Sequence, residues 1–198
     1  MSEFWDTRYS SREYIYGKTP NIFLEGELNK IKPGKILFLG EGEGRNAVYA
    51  ASLGWEVDAV DYSAAGKDKA EKLAAEKKVK INYRVENLAD FNPRQNYYDA
   101  VVLIYLHLDE VLRENVTLKS ISALKREGKI ILEAFEKDQL KYSSGGPANE
   151  ELLYSLSEIA EDFIDLEFEK FSKEIIQLNE GSKHKGKAAV IRFVGVKN

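Results

Sequence analysis

The segment Lys35-Ile-Leu-Phe-Leu-Gly-Glu-Gly-Glu-Gly-Arg45 passes from four consecutive apolar residues to three glycines that alternate with glutamates. A continuous apolar run that glycines stop is typical of a parallel strand buried on both faces. A glycine loop between such a strand and a following helix is a setting in which proteins bind nucleotides, because glycine lets the backbone approach a ligand closely. The segment therefore predicts an α/β domain with a nucleotide-like ligand at the end of its first strand.

Strands and helices alternate on the C-terminal side of this segment. The predicted strands cover residues 35–40, 56–61, 81–85, 98–105 and 129–135, and the predicted helices cover residues 45–53, 63–78 and 109–126. Such alternation gives a parallel, doubly wound sheet, since right-handed crossovers place helices on both faces.

The pattern changes in the last third of the chain. A loop is predicted over 142–149 and a helix over 149–163, and strands then follow at 166–172, 174–178 and 188–196. Residues 179–186 are predicted to join the last two strands as an antiparallel hairpin. We therefore expect a Rossmann-like, seven-stranded, mostly parallel α/β sheet with a C-terminal antiparallel hairpin.

The composition predicts one domain. The chain has 198 residues, and 43% of them are hydrophobic, which is enough for a sizeable core. Within a single domain over 1–198 we expect an N-terminal helical lid at 1–30, a cofactor-binding core at 35–135, and a C-terminal helix with antiparallel strands at 150–198.

Charge and residue usage exclude several classes of partner. With 29 basic and 33 acidic residues the net charge is −4, which disfavours nucleic acid. No basic leader with an apolar stretch and no long apolar run is found, so we expect a cytoplasmic protein without membrane contact. The absence of cysteine leaves His107 and His184 as the imidazole ligands, and no metal site is expected. The expected partner is a small molecule, and the sequence leaves the oligomeric state open.

Two classes of cofactor suit a glycine loop in this position. A dinucleotide fingerprint would place a small residue where Arg45 stands, and Glu41 and Glu43 would repel a pyrophosphate. The same carboxylates suit the ammonium and sulfonium groups of S-adenosylmethionine. Asp61 ends the second strand, where a carboxylate can accept both hydroxyl groups of a ribose in either cofactor.

The sequence resembles class I S-adenosylmethionine-dependent methyltransferases, and within them the branch related to tellurite-resistance and thiopurine methyltransferases. The matching stretches cover residues 4–9, 16–21, 40–46, 59–63, 105–108, 132–135, 145–147 and 184–190. The resemblance implies transfer of a methyl group from S-adenosylmethionine, by in-line displacement, to a small acceptor such as a thiol or a chalcogen oxyanion. S-adenosylhomocysteine is then the product of the cofactor.

The resemblance also implies roles for individual residues. The cofactor site is expected to contain Gly40, Glu41, Gly42, Arg45, Asn46, Asp61, Tyr62, Asn87, Leu88 and Tyr105. Asp61 would hold the ribose, Tyr62 and Leu88 the faces of the adenine, and Asn87 its edge. Arg45 and Asn46 would lie at the helical end of the loop, closer to structure than to contact.

Residues near the acceptor are expected from position and chemistry. A methyl transfer needs a base only if the acceptor must lose a proton, and a neutral imidazole suits that task. His107 is the expected catalytic residue, together with Tyr105 beside the sulfonium. The acceptor site is expected to draw on Trp5, Arg8, Tyr16, Tyr142 and His184.

Two departures from the family pattern keep a second function open. The family usually has an acidic residue where Phe38 stands and often a small residue or cysteine where Glu41 stands, so the polar support under the glycine loop is either missing or moved to Glu41. A non-catalytic protein that binds or senses S-adenosylmethionine is therefore the alternative. A nicotinamide-dependent oxidoreductase is disfavoured by Arg45 and the acidic loop.

Overall fold

The computed structural model describes residues 2–198, and it contains one seven-stranded sheet in the order β3-β2-β1-β4-β5-β7-β6. All neighbouring strands are parallel except β7, which runs antiparallel to both β5 and β6. The strands are β1 Lys35–Leu39, β2 Glu56–Asp61, β3 Asn82–Val85, β4 Tyr98–Ile104, β5 Leu124–Phe135, β6 Glu167–Glu180 and β7 His184–Val196. The predicted Rossmann-like α/β sheet with an antiparallel C-terminal pair is confirmed.

The six α-helices of residues 2–198 connect and cover the strands. They are α1 Ser2–Tyr9, α2 Ile22–Leu28, α3 Arg45–Ser52, α4 Ala64–Lys77, α5 Glu110–Ala123 and α6 Leu156–Asp162. Short 3₁₀ helices occupy Lys137–Lys141 and Glu150–Leu152.

Alternating residues of β1 contribute to the two halves of the core. Leu37 and Leu39 pack into one hydrophobic cluster, and Ile36 and Phe38 pack into the cluster on the opposite face of the sheet. Each face of the strand is therefore covered, as the continuous apolar run predicts. Phe38 is only 1% exposed, so its position belongs to the core.

Two predicted element boundaries in the second half of the chain are wrong. The helix predicted to reach residue 126 ends at Ala123, because Leu124 takes an extended conformation (φ −68°, ψ 139°) and pairs with Tyr98 of β4. The helix predicted over 149–163 is interrupted because Leu153 and Tyr154 turn into the core, and Tyr154 forms a bridge with Glu136.

The C-terminal strands also differ from the prediction. Residues 167–180 form one continuous strand where two were predicted, and this strand pairs with β7 along its length apart from a bulge between Phe168 and Lys170. The polar residues Ser172 and Lys173 look in the sequence like a boundary between two strands. However, β6 is an edge strand, and an edge strand tolerates polar residues on both faces. The connecting turn is only Gly181–Lys183, so His184 stands in a strand and not in a loop.

Candidate active site

The site lies at the edge of the sheet where the parallel strands β1, β2, β4 and β5 end. In doubly wound sheets this edge, close to the point where the strand order reverses, is where ligands bind. The glycine loop begins here after β1, Asp61 ends β2, and Tyr105 follows β4. The fold thus brings the residues predicted to bind the cofactor and those predicted to bind the acceptor to this edge of the sheet.

The glycine loop needs glycine for its backbone conformation. Gly42 and Gly44 have φ values of +63° and +88°, a region that other residues rarely adopt. A Cβ atom at Gly44 would collide with Ala70 of α4, and one at Gly42 would lie 2.7 Å from the hydroxyl of Tyr9. The loop is therefore in close contact with α4 below it and with the N-terminal helix α1 above it.

The side chain of Glu41 turns back into the loop and supports helix α3. Its Oε1 accepts hydrogen bonds from the backbone N–H groups of Asn46 (3.0 Å) and Ala47 (2.7 Å), which are unpaired within the helix itself. The polar support that Phe38 does not provide is thus moved to Glu41, one of the two predicted possibilities. Oε1 is therefore engaged with the helix, and the expected contact of Glu41 with a cofactor ammonium group stays a prediction.

Glu41 makes the stability of the fold dependent on pH. Burial raises its pKa from 4.5 to about 8, although both backbone hydrogen bonds oppose the shift. Because the folded pKa lies above the unfolded one, the contribution of neutral Glu41 is complete below pH 4.5 and is lost as the pH rises through about 8. We expect Glu41→Gln, which keeps an acceptor oxygen and never ionises, to match the native chain near pH 5 and to be more stable near pH 9. Urea unfolding at both pH values measures the difference, and parallel pH profiles would contradict it.

Glu43 does not face a ligand either. Its carboxylate accepts hydrogen bonds from the backbone N–H groups of Ile15 and Tyr16, both at 3.2 Å, and pairs with Lys69 at 2.7 Å. The expectation that this carboxylate meets a positively charged cofactor is therefore corrected. Glu43 instead ties the segment 13–17, which we call the strap, to the glycine loop.

Arg45 and Asn46 hold neighbouring segments in place. Arg45 pairs with Glu180 at 2.9 Å and donates to the carbonyl oxygen of Tyr16 at 3.3 Å. Asn46 Oδ1 accepts the backbone N–H of Asn21 at 2.9 Å. Both side chains are buried and engaged with protein groups, which agrees with the structural role expected for them.

Asp61 lies beside the glycine loop at the end of β2. Its two carboxylate oxygens accept the backbone N–H groups of Gly42 (2.8 Å) and Ser63 (2.9 Å). Burial raises its pKa, while these hydrogen bonds act in the opposite direction. The carboxylate is thereby fixed between the loop and the start of α4.

The other predicted adenine contacts differ in their surroundings. Tyr62 is half-buried directly after Asp61, and Leu88 is buried in the hydrophobic cluster that also contains Leu39. Asn87 is exposed, and its Oδ1 accepts the backbone N–H of Ala89, so the amide nitrogen is the part left to bind a ligand.

Helix α1 covers the glycine loop and the start of α4. Tyr9 lies against Gly42 and Gly66, and Trp5 stacks on Tyr9 with ring centroids 5.4 Å apart. Asp6 accepts hydrogen bonds from the Ser63 hydroxyl (2.5 Å) and from the backbone of Ala65 at the start of α4. The N-terminal segment therefore lies where a lid over the predicted cofactor site would lie.

Tyr105 adopts an unusual backbone conformation at the end of β4. Its φ of +52° is in the left-handed region, which bulky residues seldom occupy and which occurs at functional sites. Glu133 fixes the residue twice, because its carbonyl oxygen accepts the Tyr105 N–H and its carboxylate accepts the phenol, both at 2.7 Å. The ring stacks on Phe135 and contacts His184.

His107 has a structural role, which corrects its prediction as the catalytic base. Its Nδ1 lies 2.7 Å from the carbonyl oxygen of Leu152, and its Nε2 accepts the backbone N–H of Phe135 at 3.2 Å. Burial lowers its pKa from 6.5 to about 4. With both ring nitrogens engaged, His107 has no lone pair to offer to an acceptor.

The buried His107 makes a testable contribution to stability at acidic pH. Because its folded pKa lies below the unfolded value of 6.5, the contribution is complete above pH 6.5 and is lost as the pH falls through about 4. His107→Asn leaves the Phe135 N–H without its acceptor, so we expect a loss of roughly 1–2 kcal/mol at pH 7. The variant should also lose less stability than the native chain between pH 7 and pH 4, as measured by urea unfolding. A variant with the native pH dependence would exclude this role.

A polar cleft of about 310 Å³ opens beside His184, whose ring contacts Tyr105. It is lined by Arg8, Tyr16, Ser143, Gly145, Gly146, Ser182, Lys183, His184 and Lys185. Three of the predicted acceptor residues, Arg8, Tyr16 and His184, thus come together, whereas Trp5 and Tyr142 do not line the cleft. Arg8 donates to the Tyr16 hydroxyl at 3.0 Å.

Sequence reasoning missed the serines and lysines of this cleft. Lys183 and Lys185 flank His184 in the sequence, and this pattern could have indicated them as a basic group around one imidazole. Ser143 and Ser182 carry no such signal, because only the folding of two distant loops onto one another brings them together.

A buried network of charged groups lies below the cleft. Glu133 is fully buried and accepts hydrogen bonds from Asn21 (2.6 Å), Tyr105 and Arg192 (2.6 Å). Glu180 accepts from Asn21 (3.2 Å) and Arg45 and lies 3.4 Å from His184 Nδ1. Each buried carboxylate therefore has a cationic partner, as buried charges require.

Within residues 2–198, no group of three or more acidic or histidine side chains is arranged to hold a metal ion. None of the helices described there combines the length and the apolar character needed to cross a membrane.

Solved structures share this fold. A protein from a study of disulfide-to-thioacetal conversion during echinomycin biosynthesis matches with a TM-score of 0.80 at 14% identity, over 100% of this chain and 92% of its own. TehB from Haemophilus influenzae matches with a TM-score of 0.75 at 17% identity, over 100% and 67%. Magnesium protoporphyrin IX methyltransferase from Synechocystis PCC 6803, with bound S-adenosylhomocysteine, matches with a TM-score of 0.73 at 15% identity, over 100% and 97%.

The comparison with protein families goes beyond the fold. No curated protein matches the sequence closely. The family model described as tellurite resistance protein TehB matches residues 6–196, which is nearly the whole chain. The chain therefore belongs to the TehB family of tellurite resistance proteins and is a class I S-adenosylmethionine-dependent methyltransferase.

Proposed function

We propose that this methyltransferase acts on a small, anionic or soft acceptor, such as a thiolate or a chalcogen oxyanion, bound in the cleft beside Tyr105. The basic lining of the cleft is the observation that carries the proposal. Three of its lining residues, Arg8, Lys183 and Lys185, are basic, and none of the lining residues among those described is acidic. A volume of about 310 Å³ suits a small molecule.

The proposed cofactor site lies at the same edge of the sheet as the cleft, around the glycine loop and Asp61. The Asp61 carboxylate is fixed at the end of β2, where it can accept ribose hydroxyl groups, and the glycine loop beside it is covered by Tyr9 of α1. We propose that Gly40 and Gly42 line the methionine portion, with Tyr62 and Leu88 on the faces of the adenine. The Asn87 amide would read the adenine edge. When bound, S-adenosylmethionine supplies an electrophilic methyl group.

The chain's own residues then have two tasks, alignment and protection from water. Holding donor and acceptor in line can supply roughly 7–11 kcal/mol of the barrier. The strap and α1 contribute to both tasks, because Tyr16 and Arg8 line the cleft and Tyr9 covers the glycine loop. We propose that His184 accepts the proton when the acceptor carries one, because it is the imidazole that lines the cleft.

Acceptor screening tests the proposal. Formation of S-adenosylhomocysteine is measured with tellurite, selenite and small thiols, on the native chain and on Arg8→Ala and Lys183→Ala/Lys185→Ala. Each lost charge is expected to weaken binding of an anion by on the order of 1 kcal/mol, about fivefold in acceptor KM. The exposed Lys72→Ala serves as a control with native kinetics.

Two results would count against this function. Native KM values in both cleft variants would remove the cleft as the acceptor site. Binding of S-adenosylmethionine without turnover of any small acceptor would favour the non-catalytic alternative.

A further inference from the structure

The imidazole that lines the cleft, His184, is itself held by a buried carboxylate. His184 begins β7 and Glu180 ends β6, so the three-residue turn between them places the two side chains next to each other. His184 Nδ1 lies 3.4 Å from Glu180 Oε2, and the side chains of both residues are 6% exposed. Among residues 2–198, His184 Nε2 has no hydrogen-bond partner, and it lies beside Gly145 in the lining of the cleft.

We propose that Glu180 is a positioning residue that holds His184 in the tautomer with the proton on Nδ1, so that Nε2 presents its lone pair to the acceptor. This inference rests on the proposed function of the cleft. The arrangement follows a general pattern of catalysis, in which a base in contact with the substrate is oriented by a third group. When the acceptor gives up a proton, its bond to hydrogen breaks, the proton moves to Nε2, and the electron pair stays on the acceptor atom. Glu180 then lies beside the imidazolium that has formed.

Glu180 is in turn held as a carboxylate. Burial acts against its ionisation, but hydrogen bonds from His184 and the Arg45 guanidinium keep its pKa below the usual value. Asn21 donates a further hydrogen bond to Oε1. The orientation of the His184 ring is restricted as well, because Tyr16 and Tyr105 contact it with ring centroids 4.5 Å and 4.6 Å away.

The charged and titratable groups around His184 come from several elements. Glu180 on β6 and Glu133 on β5 favour its protonated form, while Arg45 on α3 and the surrounding burial favour the neutral form, and burial is the largest of these effects. The remaining titratable neighbours are His107, Tyr16, Tyr105, Arg8, Lys183 and Lys185. The net result lowers the pKa of His184 and keeps it available as a base at neutral pH.

The tautomer can be read directly by NMR, independently of any activity. The chain has two histidines, so His184→Gln and His107→Asn assign the two imidazole signals in ¹⁵N-histidine-labelled protein. We expect the native His184 to carry its proton on Nδ1, and Glu180→Gln to give a mixture of tautomers and a lower pKa for His184. Glu169→Gln, on the same strand but in an exposed pair with Lys129, is the control and should leave the signals unchanged.

Kinetics provide the second readout. With a small thiol as the acceptor, whose S–H bond must lose its proton, we expect kcat to fall about tenfold in Glu180→Gln, a part of the 10²–10⁴ that a general base supplies. The acidic limb of the pH profile should move to lower pH, with the KM of the acceptor and the Kd of S-adenosylmethionine within about twofold of native. Should Glu180→Gln alone not fold, Arg45→Met/Glu180→Gln removes both buried charges together. The His184 tautomer is then the readout, since loss of Arg45 and loss of Glu180 have opposite effects on the pKa of His184.

Failure of this inference can be told apart from failure of the proposed function. A native tautomer and a native pH profile in Glu180→Gln would overturn the positioning role while leaving the cleft as the acceptor site. Full activity of His184→Gln toward a small thiol would remove the base from the proposed function, whatever the tautomer.

Discussion

Replacement of Arg45 by alanine is expected to lower the free energy of unfolding by about 3–5 kcal/mol, the usual effect of breaking a buried ion pair from one side. Arg45 and Glu180 pair at 2.9 Å with side chains that are 7% and 6% exposed. The variant leaves Glu180 with an uncompensated charge in a site that water hardly reaches. It also removes the hydrogen bond from Arg45 to the Tyr16 carbonyl, which helps to hold the strap.

Urea unfolding of three variants measures this effect. Arg45→Ala should show the full loss, and Arg45→Ala/Glu180→Gln should recover part of it, because the orphaned charge is gone as well. Lys18→Ala removes one partner of an exposed pair with Glu76 and should cost less than about 1 kcal/mol. A loss in Arg45→Ala no larger than that of Lys18→Ala would contradict the structural importance of the buried pair.

Asp61→Ala is expected to weaken the binding of S-adenosylmethionine by roughly 1.5–3 kcal/mol, which is about 10- to 150-fold in Kd. The carboxylate stands at the end of β2, and its position is set by the N–H groups of Gly42 and Ser63. Loss of the side chain removes the proposed acceptor for the ribose hydroxyl groups. It also removes a bond that shapes the glycine loop, so both effects act in the same direction.

Calorimetric titration with S-adenosylmethionine and with S-adenosylhomocysteine measures the change. Asp58→Ala is the matched control, because Asp58 lies on the same strand but bonds to Asn82 and Tyr98 away from the site. Asp58→Ala should bind the cofactor as the native chain does. Native affinity in a folded Asp61→Ala would falsify the assignment of Asp61 to the ribose.

Local patterns in the sequence were enough for the sheet and for the position of the site. The apolar run before Gly40 required a strand that is covered on both faces, and the alternation of strands and helices required parallel pairing. The boundary errors share one cause. Leu124 and Tyr154 follow long-range contacts with Tyr98 and Glu136, which override the local preference for helix.

The role of a polar side chain could be predicted only where the residue and the structure around it belong to the same local stretch of the chain. Asp61 is such a case, because the end of a strand next to a glycine loop is itself a local feature. The two histidines are the opposite case. Both ring nitrogens of His107, the expected base, are engaged by Leu152 and Phe135. His184, which was predicted to lie in a loop, is a buried strand residue that lines the cleft.

The sequence by itself determined the α/β sheet and the glycine loop, because these depend on backbone conformation and on periodicity within a few neighbouring residues. The class of cofactor followed from the resemblance of several stretches to a known family. Only the tertiary structure decided what the charged groups do. The partners of Glu43 lie at Ile15 and Tyr16, and Arg45 reaches Glu180 across 135 residues of sequence. A carboxylate or an imidazole takes its role from the groups that surround it, and folding brings those groups together from distant parts of the chain.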